Sequence, residues 1–184
     1  LQFLFQHEVN PSDKLSAELD AFWTEQFRAL REERGEAPLP DDQPTPPPTA
    51  DEAAIRAFAD GLIEGTLARQ TEIDAELGRV MINWSLHRLA AVDRNILRMA
   101  VYELRHRDDI PPVVSINEAI DIARKFSTAD SGKFVNGILD RIKGELGRPA
   151  DCGTGGVRRI LFRADEDADR RCRRRHAFEP GRGA

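Results

Sequence analysis

Four histidines, two cysteines and a scatter of carboxylates are the residues of this chain equipped for metal binding or proton transfer. Their spacing assembles no site. His7, His87, His106 and His176 never fall at metal-ligand spacing with a carboxylate or a cysteine. Cys152 and Cys172 both lie near the C-terminal end, so neither a disulfide framework nor a cysteine zinc site supports the body of the fold. A reducing cytoplasm is the natural compartment. No GxxxxGK[ST] phosphate loop is present, and Gly153-Thr154-Gly155-Gly156 follows no strand and opens no helix. Asp108-Asp109 sits where a helix ends and reads as a solvated turn. No nucleophile has an evident base. Catalytic, metal and cofactor sites are therefore not expected. What remains is an all-α binding module whose ligand composition alone does not name.

The stretch from Ile110 to Asp140 carries the clearest local structure. Ser115-Ile116-Asn117-Glu118 has the form of a capping box, and Pro111 and Pro112 are read as forbidding an earlier start. Ile116, Ala119, Ile120 and Ala123 then make one apolar face, with Asn117, Asp121, Arg124 and Lys125 opposite. The helix is expected to break at Ser127-Thr128-Ala129-Asp130, with Asp130 as N-cap of the next. That next helix buries Phe134, Val135, Ile138, Leu139 and Ile142. Lys133 and Asn136 lie one turn apart on its less apolar flank.

Upstream, Leu1, Leu4, Phe5 and Val9 fit one helix face that ends at Asn10-Pro11. Ser12 is placed to cap a helix from Asp13 to about Arg34, with Leu15, Leu19, Phe22, Trp23, Phe27 and Leu30 inward and Gly35 ending it. Residues 35–50 hold six prolines and no aliphatic pattern, the mark of an extended loop. Helix resumes over 51–69, with Ile55, Phe58, Ala59, Leu62 and Thr66 inward. Gly61 and Gly65 there read as small residues for close packing. Thr71 to Leu77 and Val80 to Leu86 continue it, broken near Gly78, with Trp84 as the anchor. Leu89 to Arg107 buries Leu89, Val92, Ile96, Met99, Ala100 and Leu104. The sum is about seven helices and no convincing strand.

Apolar content of 40% and charged content of 32% suit one globular core. No apolar run approaches the roughly 18–20 residues that span a bilayer, so no membrane partner is expected. Leu1 to Phe5 is too short for a signal peptide. Residues 148–184 lack amphipathic period and read as a disordered, arginine-rich tail separate from the 1–147 domain. Their ten arginines against six carboxylates give +4, so residues 1–147 carry −9 of the total −5. An acidic body argues against a broad grip on duplex nucleic acid but leaves room for a local basic site. The tail reads as an arginine-rich RNA-binding segment or as an extension without selected function.

Several blocks resemble a known family in order and spacing. They are Asp93-Arg94-Asn95-Ile96-Leu97-Arg98-Met99-Ala100-Val101-Tyr102-Glu103-Leu104, Asp109-Ile110-Pro111, Ile116-Asn117-Glu118-Ala119, Lys125-Phe126 and Phe134 to Asp140. Together they are similar to the NusB transcription antitermination family, over about residues 1–146 and most strongly over 80–142. Leu1 to Gln6 resembles the end of that family's first-helix motif. The resemblance implies two small helical bundles packed together and a non-catalytic role. It implies pairing with the small-subunit ribosomal protein NusE, and binding of the single-stranded boxA element of ribosomal RNA leaders. It further implies that the pair helps the RNA polymerase elongation complex pass terminators and assists rRNA maturation.

By that resemblance, Gln2 and the corner with Lys125, Phe126, Asp130, Lys133 and Asn136 belong to the RNA-contacting surface. Their types suit it: lysines meet phosphates, a ring offers a stacking face, and Asn or Asp can bond base edges. Each also has a structural alternative. Phe126 can end the core stripe, Asp130 can be only a cap, and Asn136 can be packed within its helix. The partner surface is expected on the exposed side of the helix carrying Asp93 and Tyr102, with Asp108 nearby, where acidic residues suit a basic ribosomal protein. Two departures stand out: no arginine-rich segment precedes Leu1, which means a truncated chain or weaker RNA affinity, and the proline loop is unusually long. The rival readings are the helical front of an rRNA cytosine methyltransferase, which needs a downstream α/β domain, and a protein-interaction module, homodimeric as in some relatives.

Overall fold

The structure, a computed structural model, describes residues 1–36, 46–81 and 85–146. Among these are seven α-helices and no strand: α1 Gln2–Val9, α2 Leu15–Glu33, α3 Ala50–Ala68, α4 Gln70–Val80, α5 Ala91–His106, α6 Pro112–Phe126 and α7 Ser131–Gly144. A 3-10 turn, Leu86–Arg88, precedes α5. Trp84, residues 37–45 of the proline loop and the 148–184 tail lie outside the described residues. No described helix is long and apolar enough to cross a membrane.

The helices close around two apolar clusters. The first joins Phe3 and Leu4 of α1, Leu19, Trp23 and Phe27 of α2, and Ile63 of α3. Its aromatic rings interlock, with Phe3 edge-on to Phe22 at 5.4 Å and Trp23 stacked on Phe27 at 5.3 Å. The indole N–H of Trp23 donates to Asp60 Oδ1 at 2.6 Å, which satisfies the ring's one polar atom. The second cluster is larger and takes its side chains from α4, α5, α6 and α7, including Leu77, Leu97, Val101, Ala123, Val135, Leu139 and Ile142. Helix α5 serves both clusters. Met99 packs into the first, Ile96, Leu97 and Val101 into the second, and α5 touches α1, α3, α4, α6 and α7.

Several local expectations change. The N-cap of α6 is Pro111, not Ser115, and the helix starts at Pro112. Proline is pre-set for the first helical position, where its missing N–H is not needed, so it opens this helix instead of delaying it. Ser115 is thereby carried into the helix and buried, and its hydroxyl has no hydrogen-bond partner among the described residues. Among the described residues, a capping box forms at Thr49-Ala50-Asp51-Glu52. Glu52 N–H donates to Thr49 Oγ1 at 3.2 Å, and Thr49 N–H donates to Glu52 Oε2 at 2.9 Å. Glu52 is buried beside Arg31 at 3.7 Å and Arg34 at 3.2 Å, joining the end of α2 to the start of α3. The Thr49 N–H and the two arginines hold its carboxyl below the usual range.

Helix α4 runs through Gly78 without a break. On α1 the inward residues are Phe3 and Leu4, while Phe5 and Val9 are exposed. Ser12 does not cap α2; Lys14 holds the N-cap position, and Ser12 Oγ accepts from the Lys14 N–H at 3.1 Å. Gly35 does end α2, at φ 76°, with Glu36 N–H bonding Arg31 O and Gly35 N–H bonding Glu32 O. Of the two spaced glycines, only Gly65 is a packing contact. A Cβ there would strike the Tyr102 ring, whereas one at Gly61 would meet nothing.

Candidate nucleic-acid interface

The block Asp93-Arg94-Asn95 with Arg98 explains how α5 holds its neighbours. Arg94 Nε and Nη2, Asn95 Nδ2 and Arg98 Nη1 all donate to the Glu8 carboxylate of α1, at 2.8, 2.7, 2.7 and 3.3 Å. Arg98, itself buried, also grips Asp74 of α4 through two bonds of 2.7 Å. Arg94 Nη1 donates to the carbonyls of Leu86 and Leu89. Burial raises the Glu8 pKa, but the bonds from Asn95 and Arg94 and the charges of Arg94 and Arg98 outweigh it and hold the carboxyl below its ordinary value. Sequence reasoning missed Glu8 and Asp74 because their partners are far away in the chain.

Asp93 turns the other way. It is buried, and its Oδ2 accepts from the hydroxyl of Ser131 at 2.9 Å, across to the start of α7. It is therefore not on an exposed side of α5, contrary to the expected partner surface. Tyr102 is half-buried against Gly65 with the His106 ring 5.3 Å away, and Asp108 is exposed.

Ser127 to Asp130 form the corner between α6 and α7, as expected. Asp130 stands at the N-cap position but makes no side-chain cap bond. Its carboxylate is in solvent, 3.7 Å from Lys133 Nζ, with both side chains more than four-fifths exposed. Phe126 lies seven residues after buried Ala119 on the same stripe, yet it is 52% exposed. At the last residue of α6 it overhangs the packed part of the helix, so it is not a core residue. Lys125 Nζ lies 5.2 Å from the Phe126 ring centre, a cation on an aromatic face. Asn136 is half-buried and donates to Asp140 Oδ2 at 3.1 Å, one turn on. Gly132, which sequence reasoning passed over, admits the Arg124 stem across the corner; a Cβ there would sit 3.0 Å from Arg124 Cγ.

The structure thus gathers Lys125, Phe126, Asp130, Lys133 and Asn136 around one corner. Gln2 is exposed on α1 and is not joined to the corner by a described hydrogen bond; its neighbour Leu1 packs against the core that carries the corner. The corner offers two lysines, a half-exposed phenylalanine ring with Lys125 over it, and amide and carboxylate groups. Such a surface can hold phosphates and stack a base. Among the described residues no group of three or more His, Cys, Asp and Glu is placed to hold a metal ion.

The model of the NusB family matches residues 1–143 of this chain. The transcription antitermination protein NusB of Geobacter sulfurreducens is 54% identical over 94 residues, which span 51% of this chain and 68% of that protein. Among solved structures, T. maritima NusB is similar at 37% identity and a TM-score of 0.58, covering 78% of this chain and 84% of that one. A structure of antitermination factors NusB and NusE in complex with dsRNA shares the fold at 23% identity and a TM-score of 0.53, covering 78% and 89% of the two chains. The relatives are named for transcription antitermination and not for a catalytic activity.

Proposed function

The chain belongs to the NusB family, and from that premise we propose that it binds single-stranded boxA-type leader RNA at the α6–α7 corner, together with the ribosomal protein NusE. The observation that carries this reading is Phe126. A large apolar residue left 52% exposed at a helix end, with Lys125 beside it and Lys133 across the corner, is a stacking platform flanked by cations. The fold shared with the NusB–NusE–dsRNA complex supports a joint RNA and NusE role. Tyr102 and Asp108, on and beyond the end of α5, are the proposed NusE contacts. Acting in the cytoplasm on nascent ribosomal RNA, the pair would accompany the RNA polymerase elongation complex past terminators and support rRNA maturation.

The test is an electrophoretic mobility shift with a short single-stranded boxA RNA, with and without NusE. A shift with the chain and a further shift on adding NusE are expected. A chain that stays unshifted under both conditions, also when extended upstream of Leu1, refutes the reading.

A further inference from the structure

Asp130 makes no cap bond, so something else must hold the corner in shape. Around the Ser131 hydroxyl lie Asp93 Oδ2 at 2.9 Å, Thr128 Oγ1 at 2.8 Å, Ser127 Oγ at 3.0 Å and the Thr128 backbone N–H at 3.3 Å. A hydroxyl has a single proton to donate. The carboxylate of Asp93 is the only group in this set that cannot donate, and it is the strongest acceptor. The Ser131 proton therefore goes to Asp93, and the two lone pairs of the Ser131 oxygen are left to accept from two of its three other neighbours, the Thr128 N–H and the Thr128 and Ser127 hydroxyls. Asp93 thus fixes the direction of the Ser131–Asp93 bond and leaves the Ser131 oxygen as an acceptor toward the corner. Both Asp93 and Ser131 are buried, so water does not compete for these bonds.

We propose that Asp93 and Ser131 are positioning residues for the corner: through the Ser131 hydroxyl, the Asp93 carboxylate of α5 fixes Ser127 and Thr128, and so sets the separation of Phe126 and Lys125 on α6 from Lys133 on α7. Neither residue touches RNA. The proposal rests on the corner being the RNA-binding surface. It reassigns Asp93, whose type and place in the sequence suggest an outward contact, to an inward one. It also accounts for serine at the first position of α7, where Asp130 is better placed to cap.

The test uses the full chain and a single-stranded boxA RNA with NusE. Asp93→Ala and Ser131→Ala are compared with Asp93→Asn, which keeps an oxygen able to accept from Ser131. A control, Leu77→Ala, loosens the same core away from the corner. Affinity is read at a temperature where these four variants and Phe126→Ala are all fully folded, and exchange of the Thr128 amide proton is followed without RNA. Asp93→Ala and Ser131→Ala should weaken RNA binding about tenfold, the scale of one hydrogen bond to a charged group. They should also speed Thr128 exchange selectively. Asp93→Asn should recover most of the affinity, and Leu77→Ala should leave both readouts near wild type. If Ser131→Ala binds RNA like Leu77→Ala while Phe126→Ala still weakens binding, the positioning role is overturned and the RNA reading stands. If Phe126→Ala also has no effect, the corner is not the RNA surface and both fall.

Discussion

Phe126→Ala separates a binding residue from a core residue. Phe126 is 52% exposed, so folding removes only about half of its surface from water. Full burial of a phenylalanine side chain stabilises by roughly 1.5–3 kcal/mol, so the half-buried ring contributes about 1 kcal/mol. Truncation leaves no enclosed cavity at a helix end, and no cavity cost adds to this. Phe27, 6% exposed within the stacked aromatic cluster, is the contrast. There Phe27→Ala should cost about 3–5 kcal/mol. RNA affinity should move the other way. One base stacked on an aromatic ring contributes about 1–3 kcal/mol, so Phe126→Ala should weaken binding by roughly 5- to 150-fold. Phe126→Tyr should retain most of the affinity because it keeps the aromatic face, and Phe126→Leu should not. Urea denaturation followed by far-UV circular dichroism gives the stability, and fluorescence anisotropy with labelled boxA RNA gives the affinity. A stability loss near that of Phe27→Ala would show that the ring is core. Unchanged affinity with near-normal stability would show that no base stacks there.

Lys133→Glu should leave stability within about 0.5 kcal/mol, because its pairing with Asp130 is almost wholly exposed. It should weaken RNA binding and flatten the slope of log affinity against log salt by about 0.7 for each phosphate that the variant no longer neutralises. Glu8→Gln should cost about 2–3 kcal/mol. That is below the roughly 3–5 for a fully orphaned buried charge, because Arg98 keeps Asp74 and Arg94 keeps two carbonyls. The depressed pKa of Glu8 fixes the sign of its pH dependence. Its contribution is present above the ordinary glutamate value of 4.5 and is lost as pH falls through the lower folded value, so acid titration of the melting temperature should be shallower in Glu8→Gln. Gly65→Ala should destabilise by about 1–3 kcal/mol through collision with Tyr102, whereas Gly61→Ala, facing open space, should stabilise by about 0.5–1 kcal/mol in thermal melts.

Periodicity made the helices legible, because a 3.6-residue apolar repeat is a local property. It located α5, α6 and α7 and the corner between the last two. It could not tell two capping-box patterns apart. Ser115-Ile116-Asn117-Glu118 and Thr49-Ala50-Asp51-Glu52 have the same form, but only the second caps. The difference lies in what comes before. Pro112 is itself a favoured first residue and starts α6 four residues early, whereas Pro46 to Pro48 form no helix and the chain is extended at Thr49. The Asp93 to Arg98 block was legible as a resemblance and opaque as chemistry. Its partners Glu8, Asp74 and Ser131 are between 24 and 90 residues away in the chain, and no local pattern pairs groups across such distances. Phe126 was ambiguous for a simpler reason: the stripe predicts which face it lies on but not whether a neighbour extends far enough to cover it.

The same pairing explains how an acidic chain can present positive charge at one place. The arginines of α5 are consumed inside the fold: Arg94 and Arg98 by Glu8 and Asp74, and Arg105 by Glu76. The Arg98 side chain is 6% exposed in its pair, so exchanging its carboxylate for a phosphate would mean reopening the junction of α1, α4 and α5. Lys133 stands at the other extreme. Its side chain is 86% exposed and that of Asp130 is 91% exposed, so water already screens the pair, and swapping Asp130 for a phosphate costs almost nothing. Phosphate affinity on this surface should thus follow how weakly a cation is held internally rather than how many cations there are. Reversing Lys133 should then weaken RNA binding far more than reversing Arg105, although Arg105→Glu should cost more stability, since it would set a second carboxylate against Glu76.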